Sequence, residues 1–422
     1  MSQNKDHAGG APGREAVLAE WRANWPVPIA ASAAIMASLI HFGTLGVFLP
    51  EIEAETGWTR SEITFGMMLS SIVSIVASPF VGMLVDRFGA RRVGLPGLTL
   101  YLAAVAALGL TGSSIWGWWA TWVILGAGGA LAKFNVWAAG VSRRFDRGRG
   151  MAIAVALSGT SLAGISMPAL AAVALHYADW RTGYLAIAAL EAAIALPLVL
   201  WCFNDPSVEK AHSITASAPT APVIGTPRLR DLFRSRTFLG FLLICVTTFL
   251  PLSALNIHFV PLLREDGISA ETAAGLAALI GGASLAGQAA SGWLLDRVPG
   301  NRVFAGFLLC GVIAAGLLLT KHSVMTGALA ALVFGLLNGA GPACLAYLCS
   351  RCFDMRIYGT VLASLAGVMS LSAGLGSLLA GATFDWAGSY APFLIAAMPA
   401  FAVAAVCNLA MKQRPPAAVI NT

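Results

Sequence analysis

The chain has 422 residues, 58% of them hydrophobic and 11% charged, with a formal net charge of +6. A soluble domain carries roughly 25% charged residues, so most of this surface faces lipid rather than water. The basic excess is accounted for below by membrane orientation, not by nucleic-acid binding, and the seven cysteines lack the spacing of a disulfide framework or a zinc site.

Residues 1–25 are polar and of mixed charge, without the short apolar core and cleavage site of a signal peptide, and are expected to form an N-terminal tail. A membrane helix needs about 20 apolar residues. Twelve such spans follow, near 26–49, 61–85, 93–112, 115–142, 149–176 and 181–203, then 238–263, 270–295, 302–320, 323–350, 357–384 and 388–410. Spans 1–6 make a first bundle over 26–203. A Pro-, Ser-, Thr- and Ala-rich linker covers 204–237, spans 7–12 fill 238–410, and 411–422 is a second tail. Of 26 Lys and Arg, 21 fall in the tails and in loops 86–92, 143–149, 204–237, 296–302 and 351–356. Only Arg60, Arg181, Arg264 and Lys321 fall on the other side. The positive-inside rule then predicts both termini in the cytoplasm, and the chain is expected to be a multi-pass protein of the cytoplasmic (inner) membrane.

The two bundles repeat each other. Gly82-Met83-Leu84-Val85-Asp86-Arg87 returns 210 positions later as Gly292-Trp293-Leu294-Leu295-Asp296-Arg297. Ser142-Arg143-Arg144-Phe145-Asp146 returns after 208 as Ser350-Arg351-Cys352-Phe353-Asp354, and Asp179-Trp180 after 206 as Asp385-Trp386. Two similar halves suit a transporter in which one half rocks against the other. Glycine-rich runs such as Gly126-Ala127-Gly128-Gly129-Ala130 lie inside apolar spans, where close helix contact explains them better than phosphate binding.

Gly82-x-Leu84-x-Asp86-Arg87-x-Gly89-x-Arg91-Arg92 resembles the loop 2–3 motif of the major facilitator superfamily, with Asp296 and Arg297 in its degenerate second copy. The resemblance implies an all-α membrane protein of twelve helices in two pseudo-symmetric six-helix bundles. It also implies a gating role for this loop: Gly82 lets two helices approach, and Asp86 pairs with an Arg or a helix N-terminus to hold one conformation shut. Arg144 to Ala152 followed by Ser158-Gly159-Thr160, and Val47 to Glu51 followed by Gly57 to Glu62, are similar to the monocarboxylate and oxalate/formate porter group. The chain departs from that group where its proton-coupled members carry an Asp and an Arg in span 8 and often a Lys in span 1. Here those positions read Ser284 and Gln288, and span 1 offers His41.

Lys133 stands within span 4, about nine residues from the basic loop and so roughly 13 Å deep. A lysine at mid-membrane costs on the order of 3 kcal/mol. It either faces a wet cavity as the anchor for an anionic substrate, or it snorkels to the inner leaflet. Glu191 in span 6 is either paired or protonated within the bundle, or a proton-coupling carboxylate. His41 in span 1 and His258 in span 7, both read toward the outer ends, are candidate substrate donors and proton sites, with a packing role equally open. Asn256, Gln288, Asn338 and Tyr347 complete the candidate binding residues.

The expected function is transport of a small organic anion, foremost a monocarboxylate, by alternating access with possible proton coupling. The chain is expected to work as a monomer in the lipid bilayer, without cofactor, metal, nucleic-acid partner or enzymatic activity. The alternatives are a drug-type carrier of an apolar or cationic compound, and a transporter-like sensor.

Overall fold

The computed structural model describes residues 14–145, 148–203, 235–320, 323–353 and 355–411. Most of the expected linker (204–234) and the outer parts of both tails lie outside the described residues. Within the expected N-terminal tail, Arg14–Asn24 is a helix. Trp21 stacks near Phe145 (5.2 Å between ring centroids), and Glu20 accepts the Gly148 N–H at 2.7 Å.

Twelve helices are long and apolar enough to cross a bilayer. They are Pro26–Thr56, Arg60–Phe88, Ala90–Gly109, Ile115–Ser142, Arg149–Tyr177 and Trp180–Cys202 in the first half. Arg236–Glu265, Ala270–Leu295, Gly300–Leu317, Val324–Cys352, Thr360–Ala387 and Ala391–Ala410 form the second. All twelve expected spans are present. Helix is forced on them because backbone polar groups in lipid must pair within the segment. Span 1 runs seven residues past its expected end: the polar stretch Glu51 to Thr56 stays helical until Gly57, at φ +70, supplies the left-handed cap. Thr59 and Glu62 then form a capping box that starts span 2.

The helix pairs in one half are those in the other. Spans 2 and 4, 3 and 4, 1 and 5, 1 and 6, and 3 and 6 pack together, as do 8 and 10, 9 and 10, 7 and 11, 7 and 12, and 9 and 12. The halves meet through spans 2 and 11, 5 and 8, and 1 and 7. Glycines allow this approach: a side chain on Gly46 would land on the Ile257 carbonyl, and Gly164 faces Gly281 backbone to backbone. The symmetry fails at two helix breaks, both in the first half. Span 1 is interrupted at Ser38–Leu39 and span 4 at Ala132–Lys133, whereas spans 7 and 10 are continuous.

Candidate functional site

Between the halves lies a cavity of about 420 Å³, walled by spans 1, 2, 4 and 5 on one side and 7, 8, 10 and 11 on the other. Both helix breaks open onto it. Span 4 carries no proline, and a continuous helix was expected over 115–142. Instead Val136 N–H turns to the Lys133 carbonyl (2.9 Å), and the Trp137 indole N–H donates to the freed Ala132 carbonyl (2.9 Å). The break is therefore stabilised by a side chain five residues on. It leaves Lys133 extended, at φ −61 and ψ 153, heading the second half-helix Phe134–Ser142.

Lys133 lines the cavity, and its ammonium donates to Ser370 Oγ across the interface at 3.2 Å. It is the one residue with a permanent charge among the described lining residues. Its charge stands at the N-terminus of a half-helix, where the dipole adds positive potential.

The structure brings four of the candidate binding residues to this cavity: Lys133, His41, Asn256 and Asn338. His41 lies at mid-span beside the span 1 break, not toward the outer end as expected, because span 1 extends further. The Tyr101 hydroxyl oxygen accepts the His41 backbone N–H (3.3 Å) and lies 2.7 Å from His41 Nδ1. If the phenol donates to Nδ1 the ring proton sits on Nε2, and if Nδ1–H donates to the phenol oxygen Nε2 is left as the basic nitrogen.

The other candidates lie elsewhere. His258 is buried behind the wall, not on the cavity. Its Nδ1 lies 2.8 Å from the Tyr390 hydroxyl and its Nε2 lies 2.9 Å from the Ser377 carbonyl, so both nitrogens are engaged by the protein. Gln288 is exposed and Tyr347 packs over Gly300, both off the cavity wall. Glu191 is buried in span 6, off the cavity, with no hydrogen bond to another described residue.

Unforeseen is a cluster on the face opposite the chain termini, the far face. Arg60, 9% exposed, donates to Glu53 (2.9 Å) and, across the halves, to Glu265 (2.8 Å) and the Tyr390 hydroxyl (2.7 Å). Its guanidinium stacks 3.5 Å from the Phe384 centroid. Asp385 of span 11 accepts the N–H groups of Arg60 (3.0 Å) and Ser61 (2.9 Å) at the start of span 2. Arg264 pairs with Glu51 at 2.9 Å, and His176 with Glu271 at 2.6 Å. Apart from Arg60–Glu53, each of these joins one half to the other. Arg60 and Arg264 had registered in the sequence only as sparse charges on the less basic side. The nearby run of Glu51, Glu53, Glu55 and Glu62 was the available signal.

The repeated loop motif on the terminal face behaves differently. Gly82 and Gly292 have no atom within 4 Å of where a side chain would begin, so the expected close approach at Gly82 is not made. Asp86 pairs with Arg143 of its own half (3.3 Å), Arg91 donates to the Leu200 carbonyl (2.5 Å), and Arg87 lies over Phe88. Gly89, at φ +89, makes the tight turn between spans 2 and 3. In the second copy Arg297 folds onto Trp293, and Asp296 is exposed. Gly150 and Gly367, near the same ends of spans 5 and 11, are likewise uncrowded. Among the described residues, ion pairs thus tie the halves together at the far face, whereas at the terminal face the ion pair of the loop motif stays within one half.

Residues 31–366 match the family described as the Major Facilitator Superfamily. Monocarboxylate transporter 13 of Bos taurus is 28% identical over 394 residues, covering 88% of this chain and 86% of that protein. A gallate transporter of Pseudomonas putida is 28% identical over 288 residues, 61% of this chain and 63% of that protein. Among solved structures, a point mutant of the nucleoside transporter NupG superposes with a TM-score of 0.76 at 11% identity, covering 92% of this chain and 98% of that one.

Proposed function

Because the chain belongs to the major facilitator superfamily and is a multi-pass membrane transporter, we propose that it carries an organic monocarboxylate by alternating access around Lys133. The observation that carries this reading is the lone ammonium at a mid-membrane helix break, heading a half-helix N-terminus in an otherwise uncharged cavity. A charge placed there costs on the order of 3 kcal/mol unless something compensates it. Ser370 supplies one neutral acceptor, and a bound carboxylate supplies the rest. Discontinuous helices use their N-terminal ends in this way in other transporters.

The names of the bovine and Pseudomonas relatives point to carboxylates as well. A cationic cargo finds no carboxylate among the described lining residues, which disfavours drug-type transport of cations. His41 is the proton site of this scheme, in the tautomer whose Nδ1–H donates to Tyr101 and whose Nε2 is left basic. Glu191, being off the cavity, is not. With the termini in the cytoplasm, as the basic loops argue, the conformation is open inward and held shut outside by the Arg60 cluster.

Uptake of labelled mono- and dicarboxylates into proteoliposomes, with and without an imposed pH gradient, tests the proposal. Saturable uptake of a monocarboxylate, stimulated by an inward proton gradient, is expected. Absence of uptake for every carboxylate, with transport of a cation in the same vesicles, would reject it.

A further inference from the structure

The wall facing Lys133 from the second half has a polarity that the carboxylate does not explain. Span 7 is buried throughout Pro251 to Leu263 except at Asn256, which is half-buried and lines the cavity. Its amide is fixed by a one-way chain of donors. Asn256 Nδ2 donates to the Leu252 carbonyl (2.9 Å) and to Asn338 Oδ1 (3.2 Å). Asn338 Nδ2 donates to Ser284 Oγ (3.0 Å), and that hydroxyl donates to the Ile280 carbonyl (2.7 Å). Both N–H groups of Asn256 are consumed in this way, and Asn338 spends one of its two on Ser284. The open end of the chain is an acceptor, Asn256 Oδ1.

Ser253 lines the same cavity three residues earlier, which puts it on the same helix face. A helical serine or threonine ordinarily returns its hydroxyl to a carbonyl of the preceding turn, as Ser38, Ser158, Thr160 and Ser284 do here. Ser253 does not: its Oγ is buried, at 4% residue exposure, with no partner in the structure. A buried polar group left unpaired is costly, so this hydroxyl needs a partner that the protein does not supply.

A group that both donates and accepts fits the pair: it gives its proton to Asn256 Oδ1 and takes one from Ser253. A hydroxyl does this, and a carboxylate or an alkyl group does not. The cavity, at about 420 Å³, lies within the range of pockets for drug-sized ligands, about 300–1,000 Å³. It is far larger than a two- or three-carbon acid requires. Building on the carboxylate reading above, we infer that the substrate is a medium-sized hydroxy-carboxylate, with its carboxylate on Lys133 and a distal hydroxyl held by Ser253 and Asn256.

Binding to the purified full-length protein, measured by thermal shift and calorimetry, decides this. The probes are 4-hydroxybenzoate against benzoate, 6-hydroxyhexanoate against hexanoate, and hexane-1,6-diol as a compound without a carboxylate. Because their lengths differ, the two pairs allow for the span between Lys133 and span 7. In the pair whose length fits, the hydroxylated member is expected to bind about tenfold more tightly, the size of one or two net hydrogen bonds. Ser253→Ala, which removes a group with no protein partner and so leaves the fold intact, is expected to erase most of that preference. Asn256→Val is expected to erase the remainder, while both carboxylates of the pair still bind. Equal binding within both pairs, or a preference that survives both substitutions, overturns the inference. Binding of the diol as tight as that of the hydroxy-acids supports the hydroxyl site and overturns the carboxylate reading instead. No binding by any probe overturns both.

Discussion

Asp179 and Asp385 are the same residue of the repeat, each followed by tryptophan, and they do different work. Asp179 caps its own chain: its carboxylate accepts the Thr182 N–H at 2.7 Å at the start of span 6. Trp180 beside it is buried and donates to Glu55 at 2.6 Å. Asp385 reaches across to the other half and caps span 2, while Trp386 is 84% exposed. Duplication thus supplied equivalent positions, and the far-face closure arises where one copy turned its cap onto the opposite half. The same asymmetry marks the cavity, where the first half brings both helix breaks and the charge, and the second half brings neutral amides and hydroxyls.

Substitutions separate the cross-half copy from the local one. The largest effect is expected from Arg60→Met, which strands Glu53 and Glu265 and removes the donor to Tyr390. Breaking a largely buried pair costs about 3 kcal/mol, roughly a hundredfold in the ratio of closed to open far face. Spin labels at Ala54 and Ala270, in a background without native cysteines, are expected to report a wider far face. Next is Asp385→Ala, which loses a charged cap worth about 1–2 kcal/mol and is expected to widen the same distance less.

Asp179→Ala is expected to lower the melting temperature by the equivalent of about 1 kcal/mol while leaving the label distance unchanged. Hydrogen bonding from the Thr182 amide holds the Asp179 carboxyl below its ordinary range. Its contribution is therefore present above the ordinary carboxylate pKa and lost as pH falls through the lowered value, a pH dependence that Asp179→Ala is expected to abolish. Smallest is Asp86→Asn, an exposed pair within one half. It is expected to shift stability by less than about 0.5 kcal/mol, with no change at the far face.

The twelve spans were legible because lipid imposes length and apolarity on every crossing, and the halves were legible from Asp86 and Asp296, whose spacing survives duplication. Lys133 stood out because a charge in an apolar span is costly wherever it points. The break beneath it was not legible, since it depends on Trp137 turning back to the Ala132 carbonyl rather than on any proline. His258 looked equivalent to His41 by helix number, but its partners Tyr390 and Ser377 come from spans 12 and 11 and draw it off the cavity. The Arg60 cluster draws on residues up to 330 positions apart, a separation that no local pattern encodes.

The central claim is that Lys133 binds the substrate carboxylate, and counterflow of a labelled monocarboxylate in proteoliposomes tests it most directly. Lys133→Ala is expected to lose saturable counterflow while reconstituting normally and keeping a wild-type melting temperature. Saturable counterflow in that variant with an unchanged half-saturation concentration would contradict the claim.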